Sequence, residues 1–207
     1  MAIRLFAATT SAGKLRDFRT AAHKYSIAID SLPKMKDIAV PEETGATFQD
    51  NATLKAVYYS QFAPGELVMA DDSGLEVAAL DGAPGVRSAR FAADAGLVDS
   101  PDANDNTDVW NNMVLLQRLA TTPATLRNAR YRCVLVVARD GQPIYAAEGD
   151  VDGVILEAPR GTGGFGYDPL FYLNEMDKTM AEIDIETKLS ISHRGRAFRA
   201  LLAMLIA

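Results

Sequence analysis

Two rhythms of apolar and polar positions run along this chain. Ile3 to Ala8 is a short, largely apolar stretch that reads as a buried strand, and Ser11-Ala12-Gly13-Lys14 after it reads as a turn. Leu15, Phe18 and Ala22 then recur at helical spacing. Ile27 to Ile29 looks like a second strand, so the opening is strand, turn, helix, strand, which predicts an α/β fold. Thr47 with Asp50 three residues on has the form of a helix capping box. The predicted helix carries Leu54, Val57 and Tyr58, and the four-residue spacing puts Asn51 and Lys55 on one face.

Leu67 to Ala70 is an apolar run that stops at Asp71-Asp72-Ser73-Gly74, and Leu75 to Leu80 reads as a separate strand closed by Asp81-Gly82. Ala92 to Asp108 is polar and acidic, as expected of a surface loop, and Trp110 to Leu119 reads as an amphipathic helix. Arg130 to Ala138 and Pro143 to Glu148 flank Asp140-Gly141, a hairpin signal, with a further strand at Val151 to Leu156. Gly161 to Gly166 is a glycine-rich loop, and Ser192 to Ile206 reads as a final helix. With no repeat and no long linker, residues 1–207 are expected to form a single domain.

Composition narrows the function. The 207 residues are 48% hydrophobic and 23% charged, ordinary for a folded protein. A net charge of -6 without any Lys/Arg block argues against a nucleic-acid partner, which would need a basic face. The lone cysteine, Cys133, lies in an apolar run and reads as a core residue in a reducing compartment. No stretch approaches the roughly 20 apolar residues of a membrane span, and no secretory signal is apparent, so the expectation is a cytoplasmic protein off the membrane.

Four places could carry chemistry. Thr9-Thr10-Ser11-Ala12-Gly13-Lys14 leads a strand into a helix, whose first N–H groups and dipole favour an anion, with Lys14 adding charge. It is only half of a P-loop, and by itself an ordinary turn with a surface lysine is the favoured reading. Glu42, Glu43, Asp71 and Asp72 could hold magnesium through hard oxygen donors. Neighbours on a strand point to opposite faces, so a strand continuing through Asp71-Asp72 would give a site only one of them. Gly161 to Gly166 matches a dinucleotide fingerprint by letter, but Tyr167-Asp168-Pro169 follows where a helix must begin. The glycines there would instead let backbone approach a ligand, with Phe165 or Tyr167 offering a ring. Lys188 and Ser192-His193-Arg194 make a second plausible anion site.

In order, Ala8-Thr9 with Gly13-Lys14, Glu42-Glu43-Thr44-Gly45 running on to Asn51-Ala52 and Lys55-Ala56, Asp71-Asp72-Ser73-Gly74-Leu75, Pro84-Gly85-Val86 with Ser88-Ala89-Arg90, Gly164-Phe165-Gly166-Tyr167-Asp168-Pro169, and Ser192-His193-Arg194 closely resemble the inosine triphosphate pyrophosphatase family. The resemblance implies an α/β fold with a long mixed sheet flanked by helices, and two lobes around a central nucleotide-binding cleft. It implies a homodimer that hydrolyses inosine and xanthosine triphosphates and their deoxy forms with Mg2+. By the same resemblance, Asp72 is the general base and a magnesium ligand, and Glu42 another metal-site acid with Glu43 and Asp71 close by. Thr9, Thr10, Ser11, Ala12, Gly13, Lys14 and Lys55 match the triphosphate-binding positions and Ser73 a substrate contact. Phe165 matches the ring that stacks on the base, and Gly166, Tyr167, Asp168, Lys188, His193 and Arg194 match positions around the purine. The family usually has Asn where this chain has Ser11, a shorter side chain with a hydroxyl in place of an amide. The rival readings are a phosphotransferase using the Gly13-Lys14 loop, and a nucleotide-binding protein without turnover.

Overall fold

A computed structural model describes residues 3–25, 27–97 and 107–206. Among these lie seven strands that hydrogen-bond side by side in the order β2-β1-β3-β4-β5-β6-β7. They are β1 (Arg4–Ala7), β2 (Ala28–Ser31), β3 (Val68–Val77), β4 (Asn128–Arg139), β5 (Gln142–Ile155), β6 (Phe171–Leu173) and β7 (Lys178–Thr179). β1 pairs in parallel with both β2 and β3, whereas β5, β6 and β7 pair antiparallel, so the sheet is mixed as the family resemblance implies. Six helices accompany it: α1 (Ala12–Ala22), α2 (Phe48–Ser60), α3 (Phe91–Asp94), α4 (Thr107–Arg118), α5 (Ile185–Ile191) and α6 (His193–Ile206).

The chain divides into two compact units, and the division falls within β3, β4 and β5. The first comprises Met1–Ser73, Cys133–Asp150 and Ile185–Ala207. Its core gathers Leu5 and Ala7 of β1, Phe18 and Ala22 of α1, Met69 of β3, Cys133, Leu135 and Val137 of β4, and Phe198, Leu201 and Leu202 of α6. The Phe18 and Phe198 rings sit 5.4 Å apart and pin α1 to α6. Cys133 is fully buried, and burial pushes its thiol up to about 12, which makes it an inert core side chain. The second unit comprises Gly74–Arg132 and Val151–Asp184. Tyr131 and Phe171 pack with ring centroids 4.5 Å apart in its interior. Arg127 there is buried, and it donates to the carbonyl of Leu119, just past the end of α4.

Several local signals act as the pattern predicts. The capping box at Thr47 and Asp50 starts α2, with both reciprocal hydrogen bonds present. Asp140 and Gly141 join β4 to β5 with positive φ at both positions, the requirement of a two-residue hairpin turn. Three expectations need correction. The strand at Leu67 to Ala70 does not end at the aspartates: β3 runs unbroken through Asp71, Asp72 and Ser73 to Val77. The polar side chains there find buried partners, so the loss of apolar character does not stop the ladder. The strands at Pro143 to Glu148 and Val151 to Leu156 are likewise one long strand, β5. Of the loop at Ala92 to Asp108, residues 98–106 lie outside the described residues, and its two ends are helical, in α3 and α4.

Candidate active site

The first unit gathers lysines and carboxylates on both faces of β3. Because β3 continues through the aspartates, Asp71 and Ser73 share one face and Asp72 takes the other. On the first face, Lys14 Nζ lies 2.8 Å from Asp71 Oδ2. Ser73 Oγ donates to the same Asp71 oxygen at 3.3 Å, and Arg194 Nη2 donates to Ser73 Oγ at 3.4 Å. Arg194 Nη1 reaches Asp17 Oδ2 at 3.2 Å, a pair whose side chains are 5% and 7% exposed. Burial alone would raise the Asp71 carboxyl, but Lys14, Arg194 and Lys55 together outweigh it and hold Asp71 well below the usual carboxylate range.

On the other face, Lys55 Nζ lies 2.7 Å from Asp72 Oδ1 and 3.0 Å from Glu43 Oε1. Asn51, one helical turn before Lys55 on α2, donates from Nδ2 to Asp72 Oδ2 at 3.4 Å. Both oxygens of Asp72 are thus held from the same helix face, as the spacing of Asn51 and Lys55 predicts. Burial raises the Asp72 carboxyl, the negative charges of Glu43 and Asp71 add to that, and Lys55 offsets them only in part. Burial by itself would lower the Lys55 ammonium, but Asp72, Asp71 and Glu43 overcome it and raise its pKa. The two shifts agree, because one cation serves several anions: Lys55 remains charged, while Asp72 is incompletely compensated.

The turn after β1 owes its form to its own side chains. Ser11 caps α1, its Oγ accepting from the Lys14 N–H at 3.3 Å, and Thr9 Oγ1 accepts from the Ser11 N–H at 3.1 Å. Ser and Asn cap helices about equally well, so serine at this position preserves the start of α1. Thr10 and Ala12 are exposed, and Gly13 is half-buried. His193 opens α6 and is buried; burial, reinforced by the charges of Arg194 and Lys188, keeps its imidazole neutral, well below its ordinary pKa. Lys188 is half-buried on α5.

The glycine-rich loop belongs to the second unit. No helix follows it, in keeping with the effect expected of Pro169. Asp168 is buried and its Oδ2 accepts from the Phe165 N–H at 2.9 Å. Gly164 has a φ of 76°, and any Cβ there would collide with the Asp168 carboxylate. The Gly166 N–H is held by Asp108 at 2.6 Å, and its carbonyl accepts from Asn112 at 2.9 Å. Tyr167 is buried and donates its hydroxyl to the Ser88 carbonyl at 2.7 Å, while Phe165 remains half-buried. Tyr167 therefore holds the loop in place, and Phe165 is the ring left partly accessible.

Sequence reasoning missed one residue of the first unit and left a second undistinguished from its neighbour. Asp17, the buried partner of Arg194, sits three residues after Lys14 on α1, so helical spacing from the lysine was its signal. Glu43, not the exposed Glu42, is the acid that reaches Lys55; nothing in the pair Glu42-Glu43 distinguished them.

Lysines and arginine set among paired carboxylates, beside a strand–turn–helix with its N–H groups at the turn, are the equipment of a protein that handles phosphorylated ligands. The chain belongs to the Ham1 family, whose model matches residues 5–204. It is 58% identical over 205 residues to the dITP/XTP pyrophosphatase of Acidobacterium capsulatum, covering 99% of each chain. It is 45% identical over 200 residues to a dITP/XTP pyrophosphatase of Thermus thermophilus, covering 97% of this chain and 90% of the other. Among solved structures, a HAM1 protein from Coxiella burnetii superimposes with a TM-score of 0.83 at 32% identity, covering 99% of this chain and 98% of that one. The Ham1 protein of Staphylococcus aureus does so with a TM-score of 0.80 at 36% identity, covering 98% of each.

Proposed function

We propose that this chain hydrolyses inosine and xanthosine triphosphates and their deoxy forms to the nucleoside monophosphate and pyrophosphate. The observation that carries the reading is the buried Asp72, gripped by Lys55 and Asn51 beside Glu43, in a chain 58% identical to a dITP/XTP pyrophosphatase. Asp72 orients the attacking water and accepts its proton; a buried carboxylate with a raised pKa and incomplete charge compensation is suited to that role. Lys14 and Lys55 turn from their carboxylate partners toward the triphosphate and stabilise the charge that develops on it. Thr9, Thr10, Ser11, Ala12 and Gly13 present the turn at the start of α1 to the same phosphates.

The residues fit a magnesium ion. Asp72 and Glu43 converge on one lysine ammonium, so two hard carboxylates share a single positive charge. Among the described residues no group of three or more acid, histidine or cysteine side chains forms a cage. Magnesium suits such a place, since it keeps several waters and takes one or two carboxylates together with substrate phosphates. Asp72 and Glu43, with Glu42 next to it, would hold the ion, and it would supply charge neutralisation on the phosphate oxygens.

Base selection rests on the 6-position. Inosine and xanthosine carry a carbonyl acceptor there and adenosine an amine donor. The neutral His193 can donate one N–H, and Arg194 only donates, so either matches the carbonyl and leaves the amine unpaired. An unpaired buried group costs about 1–3 kcal/mol. Ser73, Phe165, Gly166, Tyr167, Asp168 and Lys188 complete the substrate contacts of this reading, with Phe165 stacking on the base. Guanosine shares the carbonyl, so its exclusion depends on the 2-position. The same reading places the protein in the cytoplasm as a homodimer, which sedimentation of the purified chain tests. No helix among the described residues is long and apolar enough to cross a membrane.

The decisive experiment measures pyrophosphate release from inosine, xanthosine, adenosine and guanosine triphosphates, with magnesium and with chelator. Metal-dependent release from the first two, with little from the others, is expected. Orthophosphate as the product, equal cleavage of all four, or no turnover would overturn the reading.

A further inference from the structure

We propose that Asn51 is a positioning residue whose single buried amide sets the orientation of Asp72 and, through Gly45, the placement of Glu43. Asn51 is 1% exposed and uses both ends of its side chain. Its Nδ2 donates to Asp72 Oδ2 at 3.4 Å, and its Oδ1 accepts from the Gly45 N–H at 2.8 Å. Glu43, two residues before Gly45, meets Asp72 on the Lys55 ammonium. One amide therefore joins the loop that carries one carboxylate to the strand that carries the other.

The geometry explains why an amide suits this place. Asp72 has two oxygens, and Lys55 takes Oδ1. A lysine or arginine side chain fixed on Oδ2 would orient the carboxylate but would permanently cancel the negative charge that a metal ion and the attacking water are to meet there. An amide N–H fixes the direction of Oδ2 while leaving that charge in place. The 3.4 Å contact is long for an N–H···O bond, so its contribution is to orientation more than to stability. Bonds of this kind tighten when substrate is bound. The capping box one residue earlier, at Thr47 and Asp50, fixes the first turn of α2 and with it the origin of the Asn51 side chain. Gly45 shows how closely the loop seats: a Cβ there would come within 2.6 Å of Asn51 Oδ1 and 2.9 Å of the Asn51 backbone nitrogen. A methyl group at position 45 thus disturbs the amide from the side opposite to Asp72.

This inference rests on the proposed pyrophosphatase reading, and three variants test it together. Asn51→Leu removes both bonds. Asn51→Asp keeps an acceptor for the Gly45 N–H and removes the donor to Asp72. Gly45→Ala leaves the amide in place and displaces it. Steady-state kinetics with deoxyinosine triphosphate should show kcat down about 100-fold in both Asn51 variants, the cost of a misplacement on the order of 1 Å. KM should stay within about threefold, because the phosphate-binding lysines are untouched. Gly45→Ala should lose roughly tenfold in kcat with the same constant KM. If Asn51→Leu fails to fold, Asn51→Asp and Gly45→Ala carry the test. Wild-type kcat in folded Asn51→Asp, or losses that fall on KM instead of kcat, would overturn the proposal. Hydrogen exchange at the Gly45 N–H is independent of catalysis: it should accelerate in Asn51→Leu and stay protected in Asn51→Asp. Unchanged exchange in Asn51→Leu would refute the joint even if the wild-type enzyme proved inactive, whereas an inactive wild type with the expected exchange pattern would refute only the pyrophosphatase reading.

Discussion

Asp71 and Asp72 are the same residue type, adjacent on one strand, and their surroundings give them opposite properties. Asp71 faces Lys14, Ser73 and the charge of Arg194, and it is held firmly ionised. Asp72 faces Lys55 and the neutral amide of Asn51, with Glu43 sharing the same ammonium, and its proton affinity rises. Pleating alone separates the two environments. The contrast shows that burial does not decide the chemistry of a carboxylate, since both are under 10% exposed. The number and sign of the groups on each face decide it. A compensated acid acts as an anchor, and an under-compensated one retains the reactivity a catalyst needs.

The largest test of that contrast is Asp72→Asn. It keeps the shape and removes the proposed base, so turnover should fall about 100- to 10,000-fold, measured as pyrophosphate release, with the fold intact by circular dichroism. Wild-type turnover in the folded variant would deny Asp72 its role.

Asp71→Asn should act the other way round. Removing the anchor withdraws the partner of Lys14 and the acceptor of Ser73. A charged hydrogen bond of this kind is worth about 1.5–3 kcal/mol, which for a chain of this length corresponds to a fall of roughly 4–10 °C in Tm. Asp72→Asn should lower Tm by less, because the charge it removes is incompletely compensated in the folded protein. If Asp72→Asn proved the more destabilising of the two, the division into anchor and reactive group would be wrong.

The smallest effect is in acid. The Asp71 carboxyl titrates lower in the folded protein than in the unfolded chain, so its stabilisation is complete above the unfolded value, about 4. It is lost as pH falls below that value, because the unfolded chain takes up the proton first. The Tm difference between wild type and Asp71→Asn should therefore shrink as pH drops from about 5 toward 2. A constant difference across that range would mean the ion pair with Lys14 contributes no pH-dependent stability.

Much of the site was legible in the sequence where the signal was local. The capping box at Thr47, the shared face of Asn51 and Lys55, the Asp140-Gly141 turn and the effect of Pro169 all depend on residues within a few positions of each other. The two errors on strands are of one kind. β3 and β5 look interrupted in the sequence because polar residues and glycine break the apolar pattern. The structure keeps both strands whole, and partners far away in sequence meet the positions that break the pattern: Arg194 donates to Ser73 of β3, and Arg196 donates to the Asp150 carbonyl of β5. Asp17 escapes notice for the same reason, since its partner lies 177 residues away.

The sequence by itself determined the alternation of strand and helix, the helix caps, the turns and the ordered motifs of the Ham1 family, because backbone preference and side-chain periodicity act over short distances. Only the tertiary structure decided which acid of each adjacent pair meets Lys55, which face of β3 each aspartate takes, and which carboxyl is held low and which is raised. Those outcomes follow from electrostatics and desolvation among groups that the folded chain alone brings within hydrogen-bonding distance.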